Sequence, residues 1–339
     1  MINILDLGKD GLERLLCDLG ERPYSAPQIF QWIYQKGITD FSEMTNISKG
    51  LRKKLSGIAS IDYPRLIDRR TSKDGTEKLA YLLFDGGIVE SVLMPEDGHW
   101  TVCVSTQEGC QMACKFCYTA SMGFVRNLGV AEIISQVLYP IKTFALKDIT
   151  NVVFMGMGEP LLNYNNVINA LQIMSDPLGP GISKRRITVS TCGIVPKIFE
   201  LWHDTKAQLA VSLNAPTDKQ RDAIMPINKK YPLGALLDAL KNYPLPRRRR
   251  ITIEYVMLRK INDSIRDAEN LANILQGIRA KVNLIPFNPW PGAMFDAPGA
   301  EDIVAFQEYL HKRGVTVMVR KGRGNDIMAA CGQLAGGNI

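Results

Sequence analysis

Apolar and polar positions along the chain change period twice. In the first sixty residues they recur at helical spacing: Leu12, Leu15, Leu16 and Leu19 fall on one face, and Gly20 follows as a stop. The same pattern predicts a helix over residues 26–34 ahead of Gly37 and another over 49–55 ahead of Gly57. From about Arg65 the segments become strand-like. Residues 78–84 and 88–94 flank the turn sequence Asp85-Gly86-Gly87, which reads as a β-hairpin.

After residue 98 apolar runs alternate regularly with helical stretches. Strands are expected at 101–105, 151–155, 187–190, 208–213, 251–257, 282–286 and 315–320. Helices are expected at 130–144, 165–174, 233–240, 264–275 and 301–312. Repeated β-α units imply a parallel sheet, here an α/β fold that closes into a partial (β/α)6 barrel behind a small helical accessory domain. In such sheets the site lies at the carboxyl ends of the strands. The expected division is 1–65 for the accessory domain, 66–97 for a β-hairpin linker or extension, and 98–339 for the core.

Composition narrows the class. The 339 residues are 46% hydrophobic and 22% charged, as in an ordinary globular protein, which excludes disorder and coiled coil. No apolar run approaches the roughly 18 residues of a membrane span, and residues 1–20 lack the apolar core of a signal peptide. A cytoplasmic protein with no membrane partner is expected. The net charge is +7, and acidic and basic residues balance at 13 each over residues 1–90, so the excess lies beyond. It gathers in Lys184-Arg185-Arg186, Lys229-Lys230, Arg247 to Arg250, and Arg320-Lys321 with Arg323. Such runs are either solvated loops or a face that holds a polyphosphate by releasing its counterions.

The seven cysteines change the picture most. An odd number, with three packed into Cys110-Gln-Met-Ala-Cys114-Lys-Phe-Cys117, argues against a disulfide scaffold. Three thiolates in one loop fall short of the four ligands of structural zinc. They suit a [4Fe-4S] cluster that keeps one iron open, with Phe116 as a shield. A zinc knuckle borrowing Cys103 or a distant histidine is the alternative. Cys17, at helical spacing from the leucines, reads as packing, and Cys331 lies beyond the glycine-rich, flexible-looking stretch Gly322-Arg-Gly324-Asn-Asp.

The triplet after the first core strand, followed by Gly156-Met157-Gly158-Glu159-Pro160 after the second, resembles the radical S-adenosylmethionine (SAM) superfamily. Nearly end to end, the chain resembles the bacterial adenine-C2 RNA methyltransferases. The stretches that carry this are VESVLMPEDG, the segment from Cys103 to Leu128, NVVFMGMGEPLLN, SKRRITVST, PINKKYPL, RRITIEYVML, NLIPFNPWPG and ACGQLAG. The sister family that methylates C8 of the same adenosine shares the triplet and the terminal cysteine. Phe124 and the PEDG stretch look more like the C2 branch. A non-catalytic iron–sulfur RNA-binding protein and a glycyl-radical activating enzyme are the remaining alternatives; neither needs Cys103 and Cys331 together with the triplet.

The resemblance implies a radical SAM methyltransferase acting on adenosine 2503 of 23S rRNA and adenosine 37 of tRNAs, with a [4Fe-4S] cluster, two SAM molecules and a low-potential donor such as flavodoxin or ferredoxin. It implies Cys110, Cys114 and Cys117 as cluster ligands, and Gly158, Glu159, Ser190, Ser212, Leu213, Asn214 and Asn288 as SAM contacts. Cys331 is then the methyl carrier, Cys103 the thiol that releases product through a transient disulfide, and Glu90 the base. Asn214 stands where the family commonly has histidine. The accessory domain is implied to bind RNA, with Arg52-Lys53-Lys54 near phosphates, and the chain ends three residues after Gly336 where relatives often add a basic extension.

Overall fold

The structure is a computed structural model and describes residues 1–144, 146 and 149–336. Its centre is one ten-stranded sheet whose spatial order follows chain order. The strands are β1 (Arg65–Thr71), β2 (Glu77–Leu82), β3 (Ile88–Glu96), β4 (His99–Cys103), β5 (Ile149–Phe154), β6 (Ile187–Thr191), β7 (Gln208–Ser212), β8 (Ile251–Met257), β9 (Ala280–Pro286) and β10 (Val317–Val319). From β4 to β10 all neighbours run parallel, because a helix returns the chain across each crossover. Among the described residues the core therefore has seven parallel strands joined by six helical crossovers, and the last strand is only three residues long.

Strands β1, β2 and β3 pair antiparallel and join the sheet through β4. Most of residues 66–97 thus extend the sheet. Strand β1 escaped the sequence reading because Arg-Leu-Ile-Asp-Arg-Arg-Thr lies on an edge and buries no residue fully, so it carries no apolar alternation. The helix Val195–Thr205 also escaped: Pro196 near its start reads as a breaker, yet proline fits the first turn, where its missing N–H is not needed.

On the face of β8 that packs against a helix, the alternate residues Ile251, Ile253, Tyr255 and Met257 are all inaccessible, with Tyr255 against Phe306, while Glu254 and Val256 on the other face line a cavity. The amino-terminal helices Lys9–Asp18, Ser25–Tyr34 and Lys49–Ile58 bury Leu12, Leu16, Ile29, Phe30, Ile33, Leu51 and Leu55 against one another. They dock on the core through Asp6, whose carboxylate accepts the Ala131 N–H (2.8 Å) at the start of the helix Val130–Thr143. Cys17 is exposed, one position past the buried stripe, and does not pack as expected. Within Arg52-Lys53-Lys54, Lys54 is tied to Glu21 (2.6 Å) and Arg52 donates to the Ser42 carbonyl. Among the described residues no helix is long and apolar enough to cross a membrane.

Candidate active site

A cavity of about 350 Å³ opens at the carboxyl ends of the parallel strands. Its wall runs from Val92 and Met94 on β3 through Cys103 at the end of β4 to Arg320 just past β10. Residues from the first and last parallel strands line one space, so the sheet curls into a partial barrel. Of the sequence-derived candidates, the three triplet cysteines, Cys103, Cys331, Gly158, Glu159, Ser190, Ser212, Asn214 and Asn288 all line it. Leu213 and Glu90 do not.

The cysteine loop is shaped by backbone. The Cys110 N–H donates to the Gly123 carbonyl (2.7 Å), and the Lys115 N–H to the Ile224 carbonyl (3.0 Å). Gly109, at φ +70°, lies so close to Gly123 that any Cβ would overlap its carbonyl oxygen. Burial pushes the Cys110 thiol up to about 12, and burial followed by the neighbouring thiols raises Cys114 further. Three such thiols held together unfavourably want a cation that would deprotonate them outright. Among the described residues no three His, Cys, Asp or Glu side chains converge on one point as a single ion requires. A cubane takes each thiolate on a different iron, so the three sulfurs need not meet at one point.

Opposite the cysteines, the loop 156–160 approaches the chain closely. Gly158 has φ +98°, and a Cβ there would come within 2.5 Å of Gln107 Cβ. Glu159 is 3% exposed; its carboxylate accepts the Cys192 N–H (2.7 Å) and the Leu161 N–H (3.0 Å). Burial raises its pKa, with those bonds working against the rise. The Cys192 thiol and the Thr191 hydroxyl also approach this carboxylate. Asn214 is left-handed at φ +59°, a conformation asparagine tolerates. Its amide is already used, accepting the Val256 N–H (2.8 Å) and facing Met225 Sδ. Leu213 is inaccessible and part of the core, so only its backbone serves the site.

One residue of this region gave no sequence signal. Arg221 sits in Asp-Lys-Gln-Arg-Asp, which reads as an exposed helix, yet its side chain is inaccessible. The guanidinium donates to the carbonyls of Cys192 (2.6 Å), Leu213 (3.0 Å) and Ser212 (3.4 Å) and to Asn228 Oδ1 (2.9 Å). It thereby ties together the ends of β6 and β7. Burial lowers its pKa, but guanidinium stays charged.

The segment carrying Cys331 closes the cavity. It is held by Thr119 Oγ1 to the Leu334 carbonyl (2.7 Å), the Tyr118 N–H to the Gly332 carbonyl (2.8 Å), and Gln333 Nε2 to the Pro289 carbonyl (2.6 Å). Asn288 Nδ2 donates to the Cys331 carbonyl (3.2 Å). The stretch 322–326, flexible-looking in sequence, is anchored as well: Asp74 accepts the Gly324 N–H (3.1 Å) and Asp326 accepts from Ser72 and Lys73. All seven cysteines are free thiols. Burial pushes Cys103 up to about 12, with the Cys331 charge adding to the rise and Arg320 opposing it. Register explains the neighbourhood: Cys103 stands opposite Val92, so Glu90, two residues away, shares its face.

Glu90 is only 3% exposed. Its carboxylate pairs with Lys78 Nζ (3.1 Å), itself 5% exposed, and accepts the Ala335 N–H (2.9 Å). In this conformation it faces the carboxyl-terminal segment, not the cavity.

Comparison with known proteins adds the family. Residues 2–61 match the ribosomal RNA large subunit methyltransferase N-terminal domain, and residues 104–272 match the radical SAM superfamily. The chain is 50% identical over 336 residues to the dual-specificity RNA methyltransferase RlmN of Geobacter sulfurreducens, covering 99% of this chain and 92% of that protein. The chain belongs to the RlmN family. The RlmN of Syntrophus aciditrophicus is 46% identical over 338 residues, covering 99% and 97% of the two chains. A radical SAM methyltransferase from Sphaerobacter thermophilus superposes with a TM-score of 0.92 at 40% identity, over 98% of this chain and 99% of that one. RlmN enzymes are radical SAM proteins that use a [4Fe-4S] cluster and SAM, and the cavity's three-cysteine wall and glycine-lined loop fit both groups.

Proposed function

We propose that this chain methylates adenine C2 in RNA, at adenosine 2503 of 23S rRNA and adenosine 37 of tRNAs, with Cys331 as methyl carrier. The observation that carries the reading is that Cys331 and Cys103, from opposite ends of the core, line the same cavity as the cysteine triplet. Cys110, Cys114 and Cys117 would hold the cluster, and Gly158, Glu159, Ser190, Ser212 and Asn288 would hold SAM. A reduced cluster and SAM supply the methyl group and the radical that activates it.

The chain's residues do the rest. An electron-poor amidine carbon such as C2 does not attack a methyl cation equivalent, so the one-carbon unit travels on Cys331 sulfur and is delivered as a covalent protein–RNA adduct. Glu90 accepts the C2 proton once the segment around Ala335 lifts from its carboxylate. The adduct's unpaired electron returns to the cluster that Cys110, Cys114 and Cys117 would hold. The Cys103 thiolate then attacks Cys331 sulfur; the S–S bond forms as the S–C bond breaks, and the departing carbon keeps the electron pair and takes up a proton to become the methyl group of the released RNA. Arg320, on the cavity wall, lowers the cost of both thiolates. The electron comes from a flavodoxin- or ferredoxin-type donor, and the protein works in the cytoplasm, where such a disulfide is reduced again.

The test is nucleoside mass spectrometry on unmodified 23S rRNA incubated anaerobically with reconstituted protein, SAM and reductant. 2-Methyladenosine is expected. 8-Methyladenosine would move the chain to the sister activity, and an absence of methylated adenosine would remove the reading.

A further inference from the structure

The basic runs divide between the two ends of the barrel. Arg320, Lys321 and Arg323 line the catalytic cavity. Six further cations, some from the runs and some single, precede strands and therefore lie at the opposite, amino end: Arg185 before β6, Lys206 before β7, Arg249 and Arg250 before β8, Arg279 before β9, and Arg313 before β10. Strands rise about 3.3 Å per residue, so the seven-residue β8 separates this face from the cavity by about 20 Å.

Because β6 to β10 are successive neighbours in the sheet, these cations form one belt. With strands about 4.8 Å apart, five of them span about 19 Å. Direct contacts connect it. Arg249 Nη1 donates to the Lys206 carbonyl (2.6 Å), Gln208 Nε2 to the Arg185 carbonyl (3.4 Å), and Arg250 to Thr316 Oγ1. Arg279 caps the Leu245 and Pro246 carbonyls (2.6 and 3.1 Å). Arg249 and Lys206 lie over the same buried indole, 5.4 and 5.1 Å from the centroid of Trp202. An aromatic face orders a cation without cancelling its charge. Lys206 has φ +59°, a helix-capping conformation that glycine or asparagine adopts more cheaply. Among the described residues, none of these six cations has a carboxylate within 4.0 Å.

We propose that this amino-end belt is a second docking surface for the RNA phosphate backbone, engaging a long folded substrate at a distance from the base being modified. The inference rests on the reading that the chain methylates RNA. It adds a division of labour: a short stem–loop presented at the cavity does not reach the belt, whereas a large RNA wraps to it.

The test compares the parent protein with the triple variant R185Q/K206Q/R248Q. Arg185, Lys206 and Arg248 are exposed, and Arg248 extends the belt from the adjoining loop. Two probes are used: a short anticodon stem–loop, and a 23S rRNA fragment extending well beyond the target hairpin. Dissociation constants are measured across a series of salt concentrations, and methylation rates alongside. Each lost phosphate contact lowers the salt slope by about 0.7–0.9. The variant should therefore bind the long fragment about tenfold more weakly at 0.1 M salt, or worse, with a shallower slope. Its affinity for the stem–loop and its rate on it should be unchanged. Equal weakening on both RNAs, or none on either, overturns the belt. A parent protein that methylates neither RNA removes the functional reading, while the binding ratio still judges the belt by itself.

Discussion

Replacing Arg221 by methionine isolates the interaction that holds the site's strand ends together. Methionine keeps most of the aliphatic stem and removes the guanidinium. Three well-formed hydrogen bonds disappear, to Cys192 O, Leu213 O and Asn228 Oδ1, with a longer fourth to Ser212 O. A buried acceptor left without a partner costs about 1–3 kcal/mol, so the gross loss is large. Two effects reduce it: the cation no longer has to be desolvated, and the carbonyls relax toward other donors. The net expected destabilisation is about 3–5 kcal/mol, the range for breaking one side of a buried charged network. With a urea m-value of about 3 kcal/mol/M, the unfolding midpoint should fall by about 1–1.7 M. Far-UV circular dichroism during urea titration reads this directly. Lysine should not rescue it, because one ammonium cannot reproduce a fork that spans β6 and β7. SAM affinity should fall in parallel, since the carbonyls belong to Cys192, Ser212 and Leu213. A midpoint shift below about 0.3 M would mean that the carbonyls find other partners and that Arg221 does not organise the site.

Further outcomes follow from particular contacts. Cys103→Ala should accumulate a covalent protein–RNA species, visible as a slower band on denaturing gels; normal turnover without that band would remove the resolving role. Glu90→Gln should cost about 3 kcal/mol by leaving Lys78 unpaired, and the double variant K78M/E90Q should be more stable than E90Q alone; equal stability would place the pair's energy elsewhere. Partial burial pushes the Asp74 carboxyl up, but hydrogen bonds from Thr76, Gly324 and Ser72 outweigh it and hold it at about 2, below the ordinary 3.8. A depressed carboxylate contributes its stabilisation above the ordinary value and loses it as pH falls through the folded one. The Gly324 amide signal should therefore titrate near pH 2 in NMR spectra, and a midpoint near 3.8 would deny the anchor. Gly158→Ala should abolish SAM binding while the cysteine loop still takes up iron, because its Cβ would meet Gln107 at 2.5 Å; unimpaired SAM binding by calorimetry would show that the loop yields.

What the sequence determined by itself was whatever short-range chemistry dictates. Helix periods, the hairpin turn, the β-α alternation and the spacing of Cys110, Cys114 and Cys117 are local patterns, and each was legible without the fold. So was the placement of the glycine loop after one strand and of Ser190 and Ser212 at the ends of two others, because topology alone puts strand ends at a site. Tertiary structure decided everything that depends on what comes to meet a residue. Arg221 looks like a solvated helix charge until three strand-end carbonyls close around it. Glu90 is one charge on a hairpin strand until Lys78 and the Ala335 N–H take up its carboxylate. Strand β1 buries none of its residues fully, Leu66 and Ile67 included, and is held in the sheet by its pairing with β2. The basic runs read alike in sequence, yet the parallel register sends some to the cavity and others to the far end of the barrel. Burial, register and the sign of a neighbour's charge are properties of the folded chain, which is why these assignments waited for it.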